Sequence, residues 1–301
     1  KVINLDLLTY AGDLSNNQDI ANHANYRFVH GDIRERNFLE SLFRNYDIKY
    51  VIHFAAESHV DNSIEGPDIF IQTNVLGTFN LIDVAYKYWK EKKYHNTRFH
   101  HISTDEVFGS LGKEGFFNEE TPYSPNSPYS ASKASSDMLV RCYCNTYGMN
   151  VVITNCSNNF GPRQHDEKLI PTVIRHAIAR KEIPIYGDGS NVRDWLFVLD
   201  HCIGIDLVFH KGRKGELYCI GSNNEKTNNE MVYEICEILD NKLPHKESYK
   251  ELLTFVEDRK GHDWRYAIDS TKIKSELGWK PQVQFTNGLA KTIDFYLDKY
   301  I

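Results

Sequence analysis

Residues 49–56 read KYVIHFAA and residues 98–103 read RFHHIS, and a long helical pattern over 67–93 separates them. Both short segments are rich in β-branched and aromatic residues and are flanked by polar residues, which predicts two strands. Between them Phe79 and Ile82 belong to an apolar pattern with helical steps. A strand, a helix and a second strand predict two parallel strands joined by a helical crossover.

The same alternation continues in both directions along the chain. Strands are expected at 1–6, 26–32 and 150–155, and helices at 36–45 and 129–147. This order predicts an α/β fold with a doubly wound, Rossmann-like parallel sheet. In such a fold, ligands bind at the carboxyl ends of the strands.

The pattern changes after Gly161. Loops rich in Asn, Gly and Pro appear, and further helices are expected at 169–180, 229–239 and 287–300. We therefore expect a first domain over 1–161 and a smaller C-terminal lobe over 162–301, with a segment near 195–215 returning to the first domain.

The composition of the 301 residues narrows the class of protein. With 41% hydrophobic and 25% charged residues the chain has an ordinary globular balance. The chain has a net charge of −6 and therefore lacks the positive electrostatic field that is typical of a nucleic-acid-binding protein. No apolar stretch approaches the roughly 20 residues of a membrane helix. The six cysteines contain no CxxC pair, which favours reduced thiols in the cytoplasm and implies no structural metal.

Asp6 and Asp32 each end an expected strand. In a dinucleotide-binding fold such an acid binds the adenosine ribose and repels a 2′-phosphate, and the alternative for each is a solvated carboxylate at a strand end. No GxGxxG or GxxGxxG occurs, although a pyrophosphate loop needs such glycines. A strand ending in Asp6 should be the second of the fold, with that loop about 20 residues earlier. We therefore expect the first strand, glycine loop and first helix to be missing, and dinucleotide binding to suffer if they are.

Tyr129 and Lys133 form a YxxxK pattern at the start of an expected helix, so both side chains share one face. A nearby ammonium favours the phenolate and makes the tyrosine a usable general base. The pattern alone is weak, because Tyr86 and Tyr88 also have a lysine four residues later. Tyr129 differs in its context, since it follows a loop and opens a helix of small Ser and Ala residues.

Ser103, Thr104, Asp105 and Glu106 directly follow the strand expected at 98–103. Two adjacent carboxyl groups in a partly desolvated site separate in pKa, so that one can act as an acid and the other as a base. The alternative is that these residues only cap the next turn.

Three cations, Lys168, Arg193 and Arg259, lie in polar loops of the expected C-terminal lobe. Arginine suits bidentate contacts to phosphate and lysine suits a point-charge contact. They could form a local anion site on a protein of net negative charge, or each could be ordinary surface charge.

Six segments of the chain resemble those of the nucleotide-sugar 4,6-dehydratases, within the extended short-chain dehydrogenase/reductase superfamily. In chain order they are FAAESHVDNSI, TNVLGT, STDEVFG, SPYSASKASSD, NCSNNFGP and DRKGHDWRYAID. The resemblance covers nearly the whole chain, and its most specific part is 103–109. It is strongest to the members that act on dTDP-glucose. Phe108, Lys260 and Trp264 depart from the usual pattern, and the last two concern nucleotide preference.

The resemblance implies an NAD-dependent lyase in which Tyr129 deprotonates the sugar 4-hydroxyl while hydride passes to NAD, with Lys133 assisting. Glu106 would then remove the proton at the 5-position and Asp105 would protonate the departing 6-hydroxyl. Thr104 would hydrogen-bond the 4-oxygen. Hydride return to the 6-position would give a 4-keto-6-deoxy sugar.

The resemblance also implies which residues bind the two ligands and divides them mainly between an NAD-binding first domain and a nucleotide-sugar-binding lobe. The NAD set, besides Tyr129 and Lys133, is Asp6, Leu7, Leu8, Thr9, Asp32, Ile33, Phe54, Ala55, Ala56, Glu57, Ser58, Thr73 and Asn159. The substrate set is Ser58, Thr104, Asn158, Lys168, Leu169, Pro184, Ile185, Tyr186, Arg193, Asn228, Asp258, Arg259 and His262.

Two alternatives to a dTDP-glucose dehydratase remain at this point. One is a dehydratase or 4-epimerase for a UDP- or CDP-sugar, and the other is a catalytically silent dinucleotide-binding sensor. A sensor has no need of an elimination acid and base. The superfamily also implies a homodimer formed by the helices expected at 67–93 and 129–147, where Tyr86, Trp89 and Met138 provide either intersubunit contact or intramolecular core.

Overall fold

The computed structural model describes all 301 residues, Lys1–Ile301. Its strands are β1 (Val2–Asp6), β2 (Tyr26–His30), β3 (Tyr50–His53), β4 (Arg98–Thr104), β5 (Val151–Cys156), β6 (Asn158–Phe160), β7 (Ile183–Tyr186), β8 (Val192–Phe197), β9 (Leu217–Ile220), β10 (Glu225–Thr227) and β11 (Leu253–Val256). Its helices are α1 (Arg36–Tyr46), α2 (Val60–Glu65), α3 (Pro67–Phe70), α4 (Thr78–Lys92), α5 (Pro128–Tyr147), α6 (Leu169–Ile178), α7 (Val198–Lys211), α8 (Asn228–Lys242), α9 (Thr271–Leu277) and α10 (Phe285–Tyr300). None of them is both long enough and apolar enough to cross a bilayer.

The strands form a four-stranded sheet in the order β3-β4-β5-β9 and three smaller sheets. Strands β3 and β4 are parallel, with Tyr50 opposite Arg98. This pairing confirms the parallel strands predicted from KYVIHFAA and RFHHIS. The smaller sheets are β1-β2, β10-β8-β6 and β11-β7.

The chain divides into two compact units. Unit 1 contains residues 1–103, 127–153 and 214–216, and unit 2 contains residues 104–126, 154–213 and 217–301. Residues 104–126 and 154–161 thus belong with the C-terminal part of the chain in their backbone contacts. The assignment of an NAD-binding domain to 1–161 and a substrate lobe to 162–301 concerns ligands and stays a prediction.

Each unit has its own apolar core. Fully buried side chains of unit 1 include Leu39, Phe43 and Phe99. In unit 2 the core is built around α6, α8 and α10, and its fully buried members include Ile174 and Ile293. Burying these side chains supplies the main driving force for folding and fixes the helices against the strands.

Two segments differ from the expected helices. The helix expected over 67–93 contains a π-helical turn, Ile71–Gly77, between α3 and α4. Gly77 lies so close to Ile33 that an added Cβ would be 2.6 Å from the Ile33 Cδ1 atom. Helix α7 was not expected as a helix, because its sequence is apolar on most of its sides and shows no clear period.

Candidate active site

Helix α5 begins with a capping box that places Tyr129 in its first turn. The Ser127 hydroxyl accepts a hydrogen bond from the Ser130 amide at 3.1 Å, and the Ser130 hydroxyl accepts one from the Ser127 amide at 3.0 Å. Pro128 occupies the first helical position, where its missing N–H costs nothing. These three residues hold the first turn rigid, so the tyrosine is presented on an ordered helix end.

Lys133 is buried, with 4% of its surface exposed, and its ammonium donates to the Ile102 carbonyl oxygen at 2.7 Å. One turn further along α5, Asp137 accepts from the Ser103 hydroxyl at 2.8 Å. The helix is therefore attached to two successive residues of β4. This attachment fixes the direction of the Lys133 side chain.

His101, the residue before Ile102 in β4, also lies next to Asp137. The His101 Nε2 atom is 3.2 Å from the Asp137 Oδ1 atom. Burial and the Lys133 charge lower the pKa of His101, and they outweigh the opposite effect of Asp137. His101 is therefore neutral at neutral pH, and Lys133 has no second buried cation beside it.

Asn74 is a site residue that sequence reasoning missed. Its amide oxygen accepts from the Glu57 amide at 2.8 Å, and its Nδ2 atom donates to the Glu57 carbonyl at 2.9 Å and to the Ser132 hydroxyl at 2.8 Å. It thus joins the loop after β3 to α5. The available signal was a polar residue in an apolar helical pattern, since asparagine is a poor helix former.

A cavity of about 420 Å³ in unit 1 collects most of the predicted NAD residues. It lies along β1 and β3, and the predicted residues on its wall are Asp6, Leu7, Thr9, Asp32, Ile33, Phe54, Ala55, Ala56, Glu57 and Thr73. Leu8 and Ser58 are not on the wall, and Asn159 belongs to unit 2. The cavity therefore brings together predicted residues from four separate parts of the sequence.

The two acidic residues of this cavity differ in their surroundings. Asp6 accepts from the Leu8 amide at 2.7 Å, and Leu8 has a left-handed φ of 53° that lets the chain turn there. Burial works to raise the pKa of Asp32, but the hydrogen bonds and charge of Arg34 outweigh it and lower this pKa below its ordinary value. Asp6 ends β1, and Asp32 follows the parallel strand β2.

The Asp-Glu pair lies in unit 2, in a 3₁₀ turn that directly follows β4. The Thr104 hydroxyl caps this turn by accepting from the Glu106 amide at 3.3 Å. The Thr104 carbonyl accepts from the Asn155 side chain at 2.8 Å. Asp105 is 2% exposed. The capping role considered as an alternative is therefore real for Thr104, and it holds the two carboxyl groups in place.

Burial changes the acidity of both carboxyl groups. Burial and then the neighbouring Glu106 raise the pKa of Asp105 well above its ordinary value. Burial also raises the pKa of Glu106, although Arg193, Lys168 and Arg259 oppose this effect. The three cations singled out in the sequence thus act on the same carboxyl group. Such a pair suits an acid and a base that work in one elimination.

Arg193 is anchored by hydrogen bonds and by an aromatic ring. One guanidinium nitrogen donates to the Asp263 carbonyl at 3.0 Å, and the guanidinium lies 4.3 Å above the Tyr266 ring centre. The Asp263 carboxylate accepts from the Tyr266 hydroxyl at 2.5 Å and from the Asn126 amide at 2.7 Å. Asp263 and Tyr266 were also missed from the sequence, because nothing local marks a carboxylate that acts on distant residues.

The remaining substrate candidates lie at ends of elements of unit 2. Asn158 begins β6, Lys168 directly precedes α6, Leu169 begins α6 and Asn228 begins α8. Pro184, Ile185 and Tyr186 lie in β7, which is parallel to β11. Arg259 lies 5.1 Å from the Tyr186 ring centre, and the His262 ring is 2.7 Å from the Asp258 carboxylate.

Two of the residues that depart from the family pattern have different surroundings. Phe108 is buried and packs against the Phe117 and Tyr123 rings at 5.3 and 5.4 Å. Its change from the usual residue therefore lies in a packed aromatic cluster. Trp264 is 37% exposed and its amide donates to the Ser110 hydroxyl.

The family model described as GDP-mannose 4,6 dehydratase matches residues 1–292. A dTDP-glucose 4,6-dehydratase of Xanthomonas campestris is 51% identical over 302 residues, covering 99% of this chain and 86% of that protein. The crystal structure of a dTDP-glucose 4,6-dehydratase, DesIV of Streptomyces venezuelae, with NAD and TYD bound, superposes with a TM-score of 0.92 at 45% identity and covers 99% of this chain and 88% of that one.

A UDP-glucose 4-epimerase of Thermotoga maritima has a TM-score of 0.87 but only 27% identity, covering 99% of this chain and 91% of that one. The fold is therefore shared with epimerases, while the sequence is much nearer to the dehydratases. The Rossmann-like fold and the resemblance drawn from the motifs are confirmed. The chain belongs to the dTDP-glucose 4,6-dehydratases, a family of nucleotide-sugar dehydratases in the extended short-chain dehydrogenase/reductase superfamily.

Proposed function

We propose that the protein converts dTDP-glucose into dTDP-4-keto-6-deoxyglucose for deoxysugar biosynthesis. The observation that carries the proposal is the pair of the buried Asp105 and the partly buried Glu106, both with raised pKa values, at the end of β4. The similarity to relatives named as dTDP-glucose 4,6-dehydratases supports the choice of sugar nucleotide. An elimination of water needs one group that gives a proton and one that takes a proton, and this pair supplies both.

NAD, when bound, accepts a hydride from the sugar and returns it. The residues along the cavity of unit 1 fit the adenosine end of this cofactor, because Asp6 offers a carboxylate to the ribose hydroxyls at a strand end. The same charge repels a 2′-phosphate and favours NAD over NADP. Asn74 holds the loop of residues 54–57, which lies on the wall of that cavity.

Tyr129 acts as the base that takes the proton of the sugar 4-hydroxyl. The Lys133 ammonium, four residues later on the same helix face, favours the phenolate form of a tyrosine. Its own hydrogen bond to the Ile102 carbonyl keeps it in one orientation. The first turn of α5 therefore supplies the proton acceptor of the oxidation.

Glu106 takes the proton from the 5-position, which the 4-keto group has made acidic. Asp105 gives a proton to the 6-hydroxyl oxygen, so that it departs as water. Its raised pKa favours the protonated carboxyl group that this step needs. The Thr104 hydroxyl hydrogen-bonds the 4-oxygen, and Lys168, Arg193 and Arg259 offer positive charge to the diphosphate of the substrate.

We also propose a cytoplasmic homodimer. Ile71, Leu76, Phe79 and Met138 are exposed apolar side chains of α5 and of the segment from α3 to α4, the elements expected to form the dimer. Trp89 is buried and donates to the Ile48 carbonyl at 2.8 Å, so it belongs to the core of unit 1. The six free cysteines support a reducing compartment.

The test is turnover of a series of nucleotide sugars. The purified protein with NAD is incubated separately with dTDP-glucose, UDP-glucose, CDP-glucose and GDP-mannose, and the 4-keto-6-deoxy products are quantified. We expect the highest kcat/KM with dTDP-glucose. No product from any of the four would overturn the proposal, and faster turnover of another nucleotide would overturn the choice of base.

A further inference from the structure

The 163–168 loop, which joins β6 to α6, is held by the last turns of α10. The Lys299 ammonium donates to the Asp166 carboxylate at 2.9 Å. The Tyr296 hydroxyl donates to the Gln164 carbonyl oxygen. One bond therefore fixes the main chain of the loop and the other fixes a side chain two residues later, so the loop has two separate attachments to one helix.

Helix α10 is a rigid support for these bonds. Leu289, Ile293 and Tyr296 are fully buried in the core of unit 2. The Tyr296 ring also stacks on the Tyr300 ring with centres 5.7 Å apart. Because the helix cannot shift without disrupting this packing, its last turns act as a fixed reference for the loop.

The loop itself is not regular and needs external contacts. Arg163 has a left-handed φ of 69°, which costs free energy in a residue with a Cβ atom. Gln164 donates to the Asn159 carbonyl at 2.9 Å, and Thr172 donates to the Asp166 carbonyl at 2.8 Å. These bonds connect the loop to its two flanking elements, and those from α10 are independent of them.

The loop ends at Lys168, the residue that directly precedes α6. The Lys168 charge is one of the three that oppose the rise in the pKa of Glu106. Its ammonium lies 3.3 Å from the Glu167 carboxylate, the preceding residue. The position of Lys168 therefore depends on the path of the loop that carries it.

We propose that Tyr296 and Lys299 are positioning residues of the nucleotide-sugar site, which act by holding the 163–168 loop so that Lys168 is presented to the diphosphate of the substrate. This inference rests on the proposed function, since it assigns Lys168 to the diphosphate. Neither residue touches the reacting atoms. By ordering the loop in advance, they reduce the loss of conformational entropy when the substrate binds.

The test is the double variant Tyr296→Phe/Lys299→Met in the full chain with NAD. The tyrosine variant keeps the ring packing and removes only the hydroxyl, and the lysine variant keeps most of the apolar stem. We expect the Kd for dTDP, measured by titration calorimetry, and the KM for dTDP-glucose to rise about tenfold, as for the loss of one hydrogen bond and one partly exposed ion pair. We expect kcat to stay within about a factor of two.

The matched control is Asp294→Asn, which breaks a 2.6 Å ion pair between the same helix and Lys242 of α8. It should change neither constant. Asp166→Asn weakens the ion pair with Lys299 from the loop side and leaves the Tyr296 hydrogen bond intact. It should therefore raise the Kd and the KM by less than the double variant does. A general loss of folded protein would instead lower kcat, and the proposal is overturned if the double variant does so without raising KM.

Hydrogen exchange of the loop amides tests the attachment without any ligand. Amides of residues 164–168 should exchange faster in the double variant than in Asp294→Asn. Unchanged exchange overturns the inference whether or not the protein turns over dTDP-glucose. Faster exchange and weaker dTDP binding in a protein that forms no product would keep the inference and overturn the proposed reaction.

Discussion

The proposed role of Asp105 requires a protonated carboxyl group, and the surroundings of Asp105 make its ionised form unfavourable. Burial and Glu106 both favour its neutral form. Because the carboxyl pKa is raised in the folded state, the folded protein binds this proton more tightly than the unfolded chain. Its contribution to stability is therefore best at low pH and is lost as the pH rises above about 4, the value of an unfolded aspartate.

We therefore expect Asp105→Asn to be more stable than the wild type at pH 8, with a Tm higher by a few degrees, and the difference to vanish near pH 4. Differential scanning calorimetry across this pH range measures it. Asp206→Asn, at a side chain that is 73% exposed, serves as the control. A difference that grows as the pH falls would contradict the assignment of a buried, protonated carboxyl group.

The proposed reaction assigns the oxidation and the elimination to different residues, and this gives a kinetic prediction. Glu106→Gln and Asp105→Asn should each slow product formation by about 10² to 10⁴. Both should still exchange the hydrogen at the 4-position, because Tyr129 and Lys133 remain intact. Tyr129→Phe should suppress exchange and product formation together.

The measurement is the direct transfer of deuterium, without exchange with solvent, between the 4-position of a deuterated sugar and the bound cofactor. Mass spectrometry detects this transfer. If the carboxyl variants lose exchange as completely as Tyr129→Phe does, the assigned roles are wrong.

The π-helical turn between α3 and α4 connects local structure to the site. It places Asn74 where one side chain satisfies both backbone groups of Glu57 and also reaches Ser132. A widened turn of this kind is frequent at functional sites. Here it makes the loop along the cavity and the helix bearing Tyr129 one connected structure.

Asn74→Ala should lower the free energy of unfolding by about 2 kcal/mol, because it leaves the two Glu57 backbone groups without their partner. It should also weaken NAD binding. Asn150→Ala is the control, since its partly buried side-chain amide donates to the Thr97 carbonyl at 2.8 Å just before β5, away from the cavity. Urea unfolding and calorimetric NAD titration measure the two effects, and equal NAD affinity in both variants would contradict the role of Asn74.

The elements that could be predicted from the sequence are those with a clear period or clear boundaries. The strand expected at 98–103 and the helix expected at 129–147 are examples, since each differs from the observed element by one residue at one end. The catalytic candidates lie at these two ends. The π-helical turn could not be predicted, because it depends on contacts of Gly77 and Asn74 with distant residues. Asp263 was missed for the same reason, since its partners Asn126 and Tyr266 are brought to it only by the tertiary fold.

At the scale of the whole molecule, exposed apolar side chains predict self-association. Met138 is 57% exposed on α5, and Leu76 is 45% exposed in the neighbouring π-helical turn. We expect sedimentation at micromolar concentration to show a dimer and Met138→Glu to shift it to monomer. Leu199→Glu, at an equally exposed position on α7, should not. A wild type that sediments only as a monomer would exclude the homodimer.

The proposed reaction oxidises the sugar at the 4-position, eliminates water and reduces the 6-position with the same hydride. The most direct measurement is the conversion of dTDP-glucose deuterated at the 4-position, with NAD present and the product examined by NMR. We predict dTDP-4-keto-6-deoxyglucose that carries the deuterium in its 6-methyl group. A product without that deuterium, a 4-epimer, or no product at all would contradict the account.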